Sequence, residues 1–435
     1  MDQGLLIALS VFFISYALLA TEWIDKTVVV GLASLVLLVT GILNLQEAVS
    51  YVNWETIGLL FGMFIIVVVL SDSGFFSYLA LILAKLLSYD QKRIFILFPL
   101  LAGLLAAFIN SITVMLFLAV LTLEISKLLN IDPVPIIVGE VVLANTGGAA
   151  TLIGDPPNVI LGTQLGLGFN DFIVHNGPIA FAASLVSIAV LYLMCRKSLR
   201  ASTHAQIDAI RMIDPEAAIS SQRGLYLGLG ALSLAIVLLA THGYLQVQFG
   251  VPLTVALSAL IPAFLLLLAG GPAMSYVLKK VDYHLLLFFI GLFILVGALE
   301  KTGAIGLFAS ALLAIASGSN IGLQFLLLWG SAALSAVVDN VPFAVTMSYV
   351  VKDIAVVPGI LATSAMVWAI SLGTDIGGNA TPIGASSNVV AYDSMEKHGL
   401  RIGWIRWMKL AIPPTFVALI VCNILLLAMY AVGFY

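Results

Sequence analysis

Charged residues are scarce in this chain of 435 residues: Asp, Glu, Lys and Arg together make up 9% of it, whereas apolar residues make up 62%. Soluble domains carry about a quarter charged residues, so this composition excludes an ordinary water-soluble domain. Apolar runs long enough to cross the hydrocarbon core of a bilayer as a helix, about 20 residues, recur along the chain, for example at 176–194 and 413–432. The chain is therefore predicted to be an all-α polytopic membrane protein.

Other absences limit the chemistry. Cys195 and Cys422 are the only cysteines, which excludes a disulfide scaffold and a cysteine-rich metal site. The sequence contains no nucleotide-binding loop, no nucleophile–base pair and no cluster of metal-ligand residues, so we expect no enzyme, no catalytic residue, no metal and no cofactor. No basic stretch precedes the first apolar run, which is therefore predicted to be a first span and not a signal peptide.

The chain contains two similar copies of one sequence motif, called the repeated phrases below. NTGGAATLIGDPPNVILG at 145–162 is answered by DIGGNATPIGASSNVVAY at 375–392, 230 residues later. At an offset of 229, FINSITV around Asn110 meets VVDNVPF around Asp339. Ordered matches at nearly constant spacing indicate an internal duplication. Duplicated apolar halves, interrupted by Gly and Pro at corresponding positions, are typical of secondary transporters whose site lies where the halves meet.

Positive charge suggests how the halves are oriented. The polar stretch 196–224 is predicted to be a cytoplasmic linker between a first repeat, 1–195, and a second repeat, 225–435. If the apolar pairs at 94–129 and 321–355 are re-entrant hairpins, each half crosses the membrane five times and the halves are inverted. Sixteen of the 18 Lys and Arg residues then lie inside, against 12 for parallel halves, as the positive-inside rule favours. We predict two inverted-topology repeats with about ten transmembrane helices, two re-entrant hairpins and two broken helices.

The repeated phrases are predicted to break their helices. The segment 135–165 has 31 residues, which as continuous helix would span roughly 46 Å, too long for the hydrocarbon core. Glycine favours unwinding and proline cannot donate within a helix, so unpaired backbone groups would face a substrate. The residues at these breaks and at the two hairpin tips are predicted to bind substrate: Asn110, Ser111, Asn145, Thr146, Gly147, Gly148, Thr151, Asp155, Asn158, Asn340, Gly377, Gly378, Asn379, Thr381, Ser387 and Asn388.

Some of these residues have a structural alternative. Asp155 and Thr381 each precede a proline, as the N-cap of a helix often does, and capping does not exclude substrate contact. Asn158 and Asn388 either bind substrate or lock the two repeats together. Glu140, before the first break, either carries function or makes a hydrogen bond between helices.

Acidic residues at apolar depth point to ion coupling. Asp339 has no basic residue within ten positions in either direction. Burying an unpaired carboxylate is costly, and acids inside a membrane usually mark proton or ion routes. Asp339, Asp375 and Asp155 are therefore the candidates for proton or cation coupling.

At these residues the chain resembles the ion transporter superfamily, in particular its arsenite permease and sodium/proton antiporter (ArsB/NhaD-type) branch, which includes the melanosomal P protein. The resemblance rests on GEVVLANTGGAATLIGDPPNVILG, VVDNVPFAVTM and GTDIGGNATPIGASSNVVAYDSMEKHG. It implies inverted repeats, a transport domain that moves against a scaffold, hairpin tips at Asn110–Ser111 and Asp339–Asn340, and unwound stretches at 145–158 and 375–388. Relatives carry Asp-Asn in both hairpins, so Asn110–Ser111 is a departure. It favours a neutral or weakly charged substrate coupled to one proton.

The first functional hypothesis is efflux of arsenite or antimonite across the cytoplasmic (inner) membrane in exchange for protons. Sodium/proton antiport and sodium-coupled uptake of a dicarboxylate or other oxyanion are the alternatives, so the coupling ion is H⁺ or Na⁺. The expected partners are the lipid bilayer and a small inorganic substrate, not nucleic acid. A homodimer and an ATPase partner are compatible with the resemblance, although no residue pattern points to either.

Overall fold

The structure, a computed structural model, describes residues 3–21, 23–197, 199, 214–271 and 275–434. The described residues form α-helices joined by short turns and contain no β-strand. The predicted all-α fold is confirmed. Most of the linker predicted at 196–224 lies outside the described residues.

The helices of the first half follow the repeated pattern of apolar runs and polar breaks. They are α1 (Gln3–Thr21), α2 (Lys26–Val39), α3 (Leu45–Tyr51), α4 (Trp54–Asp72), α5 (Phe75–Leu86), α6 (Gln91–Ala106), α7 (Ser111–Leu129), α8 (Val134–Gly148), α9 (Pro156–Leu165) and α10 (Phe169–Cys195).

The second half repeats this order. Its helices are α11 (Gln222–Phe249), α12 (Val255–Gly270), α13 (Ser275–Lys280), α14 (Tyr283–Lys301), α15 (Ala304–Ile315), α16 (Asn320–Ser335), α17 (Asn340–Ala355), α18 (Thr363–Gly377), α19 (Ser386–Lys397) and α20 (Gly403–Ala431). Helix α11 begins at Gln222, two residues before the predicted end of the linker.

The caps show why corresponding helices begin at corresponding residues. Gly74 and Gly303 precede α5 and α15 with φ of 83° and 77°, a left-handed conformation that glycine adopts without a steric penalty. Asn110 and Asp339 precede α7 and α17, and each side chain accepts a hydrogen bond from the backbone N–H two residues later. Both apolar pairs predicted to be hairpins therefore turn at an N-cap, between α6 and α7 and between α16 and α17.

Six of the described helices are individually long and apolar enough to cross a membrane, namely α4, α7, α10, α11, α14 and α20. A seventh span is obtained if α15 and α16, which meet at a bend of 118°, are counted as one. Since α7 has the length of a full span, the re-entrant hairpins, the ten crossings and the inverted orientation of the halves stay predictions.

The helices pack in two groups. The frame comprises α1, α2, α4, α11, α12 and α14, with its most extensive contacts between α4 and α12, α11 and α12, and α2 and α14. The inner bundle comprises α6 to α10 and α16 to α20, with its most extensive contacts between α6 and α8, α16 and α18, and α10 and α20. Both broken helices and the second helix of each apolar pair belong to the inner bundle, so the predicted site residues lie within it or at its border with the frame.

Candidate functional site

Each repeated phrase breaks a helix within the inner bundle. Helix α8 ends at Gly148 and α9 begins at Pro156, while α18 ends at Gly377 and α19 begins at Ser386. The two broken helices are confirmed, and the non-helical segments are shorter than the predicted stretches 145–158 and 375–388. A short 3₁₀ turn at Gly378–Ala380 takes up part of the second break.

The two phrases meet through their amide side chains. Asn145 Nδ2 donates to Asn379 Oδ1 at 2.8 Å and to Asn388 Oδ1 at 2.9 Å. Ser387 Oγ in turn donates to Asn145 Oδ1 at 2.5 Å. All four side chains are buried. Residues that are more than 230 positions apart in sequence therefore form one polar cluster, which joins the halves of the chain directly.

One amide braces the loop within each break, Asn158 in the first and Asn388 in the second. Asn158 and Asn388 occupy equivalent positions, and Asn158 Oδ1 also accepts from Ser371 Oγ at 2.6 Å. Each Nδ2 donates to two carbonyl oxygens of its own loop at 2.7 to 3.0 Å: Asn158 to Gly148 and Thr151, and Asn388 to Gly378 and Thr381. These amides satisfy carbonyl groups that an interrupted helix leaves without partners. The structure supports the architectural alternative for both residues, and their contact with substrate stays a prediction.

The threonines tie each loop to the neighbouring apolar pair. Thr151 Oγ1 donates to the carbonyl oxygen of Ala107, and Thr381 Oγ1 donates to that of Ala336 at 2.6 Å. The proposed capping role of Thr381 is wrong, because α19 begins only at Ser386, after the loop has passed Pro382. Thr146 donates within its own helix, to the Val142 oxygen at 2.6 Å.

Glycine allows the inner helices to approach each other closely. Gly147 of α8 lies against Gly103 of α6, and Gly377 of α18 lies against Ala332 of α16. Gly148 and Gly378 similarly lie beside Gly154 and Gly384 of their own loops. The four predicted site glycines thus serve backbone packing, and their contact with substrate stays a prediction.

Asp155 is held by both hairpin tips. Ser111 Oγ donates to its Oδ1 at 2.5 Å, and Asn340 Nδ2 donates to its Oδ2 at 3.1 Å. Although Asp155 stands at the N-cap position of α9, its side chain makes no capping hydrogen bond. The carboxyl group is therefore committed to the tips and not to its own helix, which the capping alternative did not foresee.

Asp375 lies beside Asp155 and Asn158 and interacts electrostatically with both. It is fully buried, and neither of its carboxyl oxygens accepts a hydrogen bond of standard geometry from the described residues. No Lys, Arg or His is among the buried residues that the structure describes. Two adjacent carboxylates in such a place repel each other and are poorly solvated, so the pair is expected to hold a proton or a cation between its two acids.

The expectation of an unpaired Asp339 is wrong. Lys26 Nζ lies 2.5 Å from Asp339 Oδ2, and Ser386 Oγ donates to the same oxygen at 3.4 Å. Lys26 precedes Asp339 by 313 residues, so inspection of the neighbouring sequence could not reveal the pair. Lys26 is a functional candidate that the sequence analysis missed.

Glu140 is separate from this cluster. Its Oε1 accepts a hydrogen bond from Thr122 Oγ1 at 2.5 Å, between α8 and α7. The hydrogen bond between helices is therefore the alternative that the structure supports.

Two adjoining cavities open toward the hairpin tips from the border between frame and inner bundle. One, of about 480 Å³, is lined by Asn110, Asp72 and Lys280, and the other, of about 380 Å³, by Lys26 and Ser386. Both cavities include Asp282 and Leu285, so together they form one vestibule. Lys26 and Lys280 are both on the side of the membrane that the sequence analysis predicts to be cytoplasmic.

Comparison with known proteins places this arrangement among transporters. The profile of the CitMHS family, described as "Citrate transporter", matches residues 16–373. An uncharacterized transporter of Mycobacterium tuberculosis is 35% identical over 434 residues, which cover 98% of this chain and 99% of the relative. The P protein of Mus musculus is 28% identical over 498 residues, covering 96% of this chain and 59% of that protein.

A solved structure shares the fold. The crystal structure of the YdaH transporter of Alcanivorax borkumensis superposes with a TM-score of 0.59 at 13% sequence identity, covering 99% of both chains. At this identity the similarity concerns the arrangement of the helices alone.

Proposed function

Since this chain belongs to the CitMHS citrate transporter family and is a membrane transporter, we propose that it is a secondary active transporter coupled to protons at Asp155 and Asp375. We place it in the cytoplasmic (inner) membrane. The observation that carries the proposal is the contact between these two buried acids, one from each broken helix, with no buried basic side chain among the described residues.

The coupling follows from the contacts of Asp155. Its carboxylate form accepts hydrogen bonds from both hairpin tips, at Ser111 and Asn340. A proton on the Asp155–Asp375 pair removes the repulsion between the acids. On Asp155 it also weakens the hydrogen bonds from Ser111 and Asn340, since a neutral carboxyl group is a poorer acceptor. Loading and unloading of one proton would therefore change how firmly the tips are held.

For the cargo we propose arsenite or antimonite, expelled in exchange for protons. Arsenite is a small, mostly neutral molecule with three hydroxyl groups at neutral pH. The cluster offers amide and hydroxyl side chains, such as Asn145, Asn379 and Ser387, which bind hydroxyl groups by hydrogen bonds. A bare polyanion would instead meet two acids and no buried base among the described residues, at a large desolvation cost.

A carboxylate cargo is the second candidate because the family profile is described as that of a citrate transporter. Such a cargo would need accompanying protons or metal cations to offset Asp155 and Asp375. Sodium/proton antiport needs no organic cargo and would use the same two acids alternately for Na⁺ and H⁺.

A pH-gradient assay separates these candidates. The purified protein is reconstituted in liposomes with an imposed pH gradient, and arsenite, Na⁺ and citrate are supplied in turn while a pH-sensitive dye follows the gradient. We expect arsenite to collapse the gradient in liposomes that contain the protein and not in protein-free liposomes. Collapse with Na⁺ alone or with citrate alone would refute the arsenite proposal and select the corresponding alternative.

The cysteines provide a separate prediction. Cys195 and Cys422 are both buried, and they lie in α10 and α20, outside the two repeated phrases at 145–162 and 375–392. An arsenic site made of thiolates is therefore not expected, and Cys195→Ser and Cys422→Ser, singly and combined, should retain arsenite transport within about twofold. The rate of dye recovery in the same liposome assay measures this. Loss of transport in both single variants would show that sulfur takes part.

A further inference from the structure

The second hairpin tip contains an ion pair between Asp339 and a lysine side chain. Asp339 is the N-cap of α17, its side chain is 10% exposed, and its Oδ2 lies 2.5 Å from the Nζ of Lys26. Lys26 is the first residue of α2 in the frame, whereas Asp339 belongs to the inner bundle. The ion pair therefore crosses the border between the two groups of helices, at the wall of the vestibule.

The positions that correspond to Asp339 and Lys26 in the internal repeat carry no charge. The counterpart of Asp339 is Asn110, which caps α7 through the same contact to the backbone. At the same offset of 229 residues the counterpart of Lys26 is Val255, the first residue of α12. The first half thus combines a neutral hairpin cap, Asn110, with the base Lys26, and the second half combines the acid Asp339 with the neutral Val255. Each member of the ion pair therefore has a neutral counterpart in the other half, and the acid and the base meet only across the two halves.

We propose that Lys26 is the permanent counter-ion of Asp339 at the second hairpin tip and thereby prevents this tip from binding a cation from solution. A carboxylate that is only 10% exposed needs a positive partner, because an uncompensated charge with little access to water is strongly unfavourable. The ammonium group of Lys26 is that partner and, as part of the chain, it also holds α2 against the hairpin tip. Removal of the ammonium group leaves Asp339 to recruit Na⁺ through the vestibule. The inference goes beyond the proposed function and holds for any cargo.

The test measures cation binding without any cargo. Purified wild-type protein, Lys26→Met, Lys26→Arg and Lys26→Met/Asp339→Asn are heated in NaCl or in choline chloride of equal concentration. We expect equal melting temperatures in both salts for the wild type, Lys26→Arg and the double variant. Lys26→Met should melt about 2 °C higher in NaCl, because Na⁺ binds only its folded form. Sodium stabilisation of the wild type equal to that of Lys26→Met, or none in Lys26→Met, would overturn the proposal.

If Lys26→Met cannot be purified in choline chloride, the yield of monodisperse protein takes the place of the melting temperature. Removing the unpaired acid, as in Lys26→Met/Asp339→Asn, or supplying NaCl throughout purification should then restore the yield. A double variant as poor as the single one, with no effect of NaCl, would show that the lysine acts through its packing and not its charge. Because no cargo is present, a failed transport assay with arsenite leaves this result unaffected.

Discussion

Replacing Asp375 by Asn should reduce proton-driven transport by roughly 100-fold, since groups that transfer protons typically contribute at least that much. The asparagine keeps the size of the side chain but can neither release nor take up the coupling proton. Asp155, its neighbour, then has no second acid with which to share a proton. The measurement is the rate at which cargo collapses an imposed pH gradient in proteoliposomes.

Glu140 in α8 provides a matched control. Glu140→Gln also neutralises a buried acid, but Glu140 accepts its hydrogen bond from Thr122 and, among the described residues, makes none with Asp155 or Asp375. We expect this variant to retain its proton dependence. If Asp375→Asn behaved like wild type, or if Glu140→Gln lost coupling to the same degree, the assignment of the coupling site to Asp155 and Asp375 would be incorrect.

Replacing Gly147 by Ala should destabilise the folded protein by about 3 kcal/mol, at the upper end of what overpacking typically costs. A Cβ atom at this position would lie 2.1 Å from the backbone oxygen of Gly103, where no flexible side chain can move aside. Helices α6 and α8 would have to separate, which would also displace Asn145. Gly377→Ala meets the Ala332 Cα at 2.3 Å and should behave alike. The melting temperature of the purified variants checks both.

Gly230 provides the comparison for these glycines. It lies on an exposed face of α11, and a Cβ atom there would have no neighbour within 4 Å. Gly230→Ala should therefore be neutral or stabilising by up to about 1 kcal/mol, the difference in helix propensity. Equal melting temperatures for Gly147→Ala and Gly230→Ala would mean that the close approach of α6 and α8 does not matter for stability.

The sequence predicted those features that local chemistry determines. Glycine and proline in both phrases marked the broken helices, and the polar tips at Asn110 and Asp339 marked the turns between the paired helices. The exact limits of the breaks were less accessible, because Pro382 looks like a helix start although the loop continues to Ala385.

Contacts between distant parts of the chain were beyond the reach of such patterns. Nothing near Asp339 announces Lys26, and nothing near Asp155 announces Asn340, since each pair is joined only by the packing of helices. The internal repeat provided the one long-range signal, because it placed the two phrases in equivalent positions before any packing was known.

The grip on Asp155 has a mechanical consequence. Its two carboxyl oxygens accept hydrogen bonds from different tips. Oδ1 accepts from Ser111 in the first half, and Oδ2 accepts from Asn340 in the second half. Neither tip can withdraw without losing a hydrogen bond to the same side chain, and a single chemical event on that carboxyl group is felt by both tips at once. The positions of the two tips are therefore coupled through one side chain, although the tips belong to different halves of the chain.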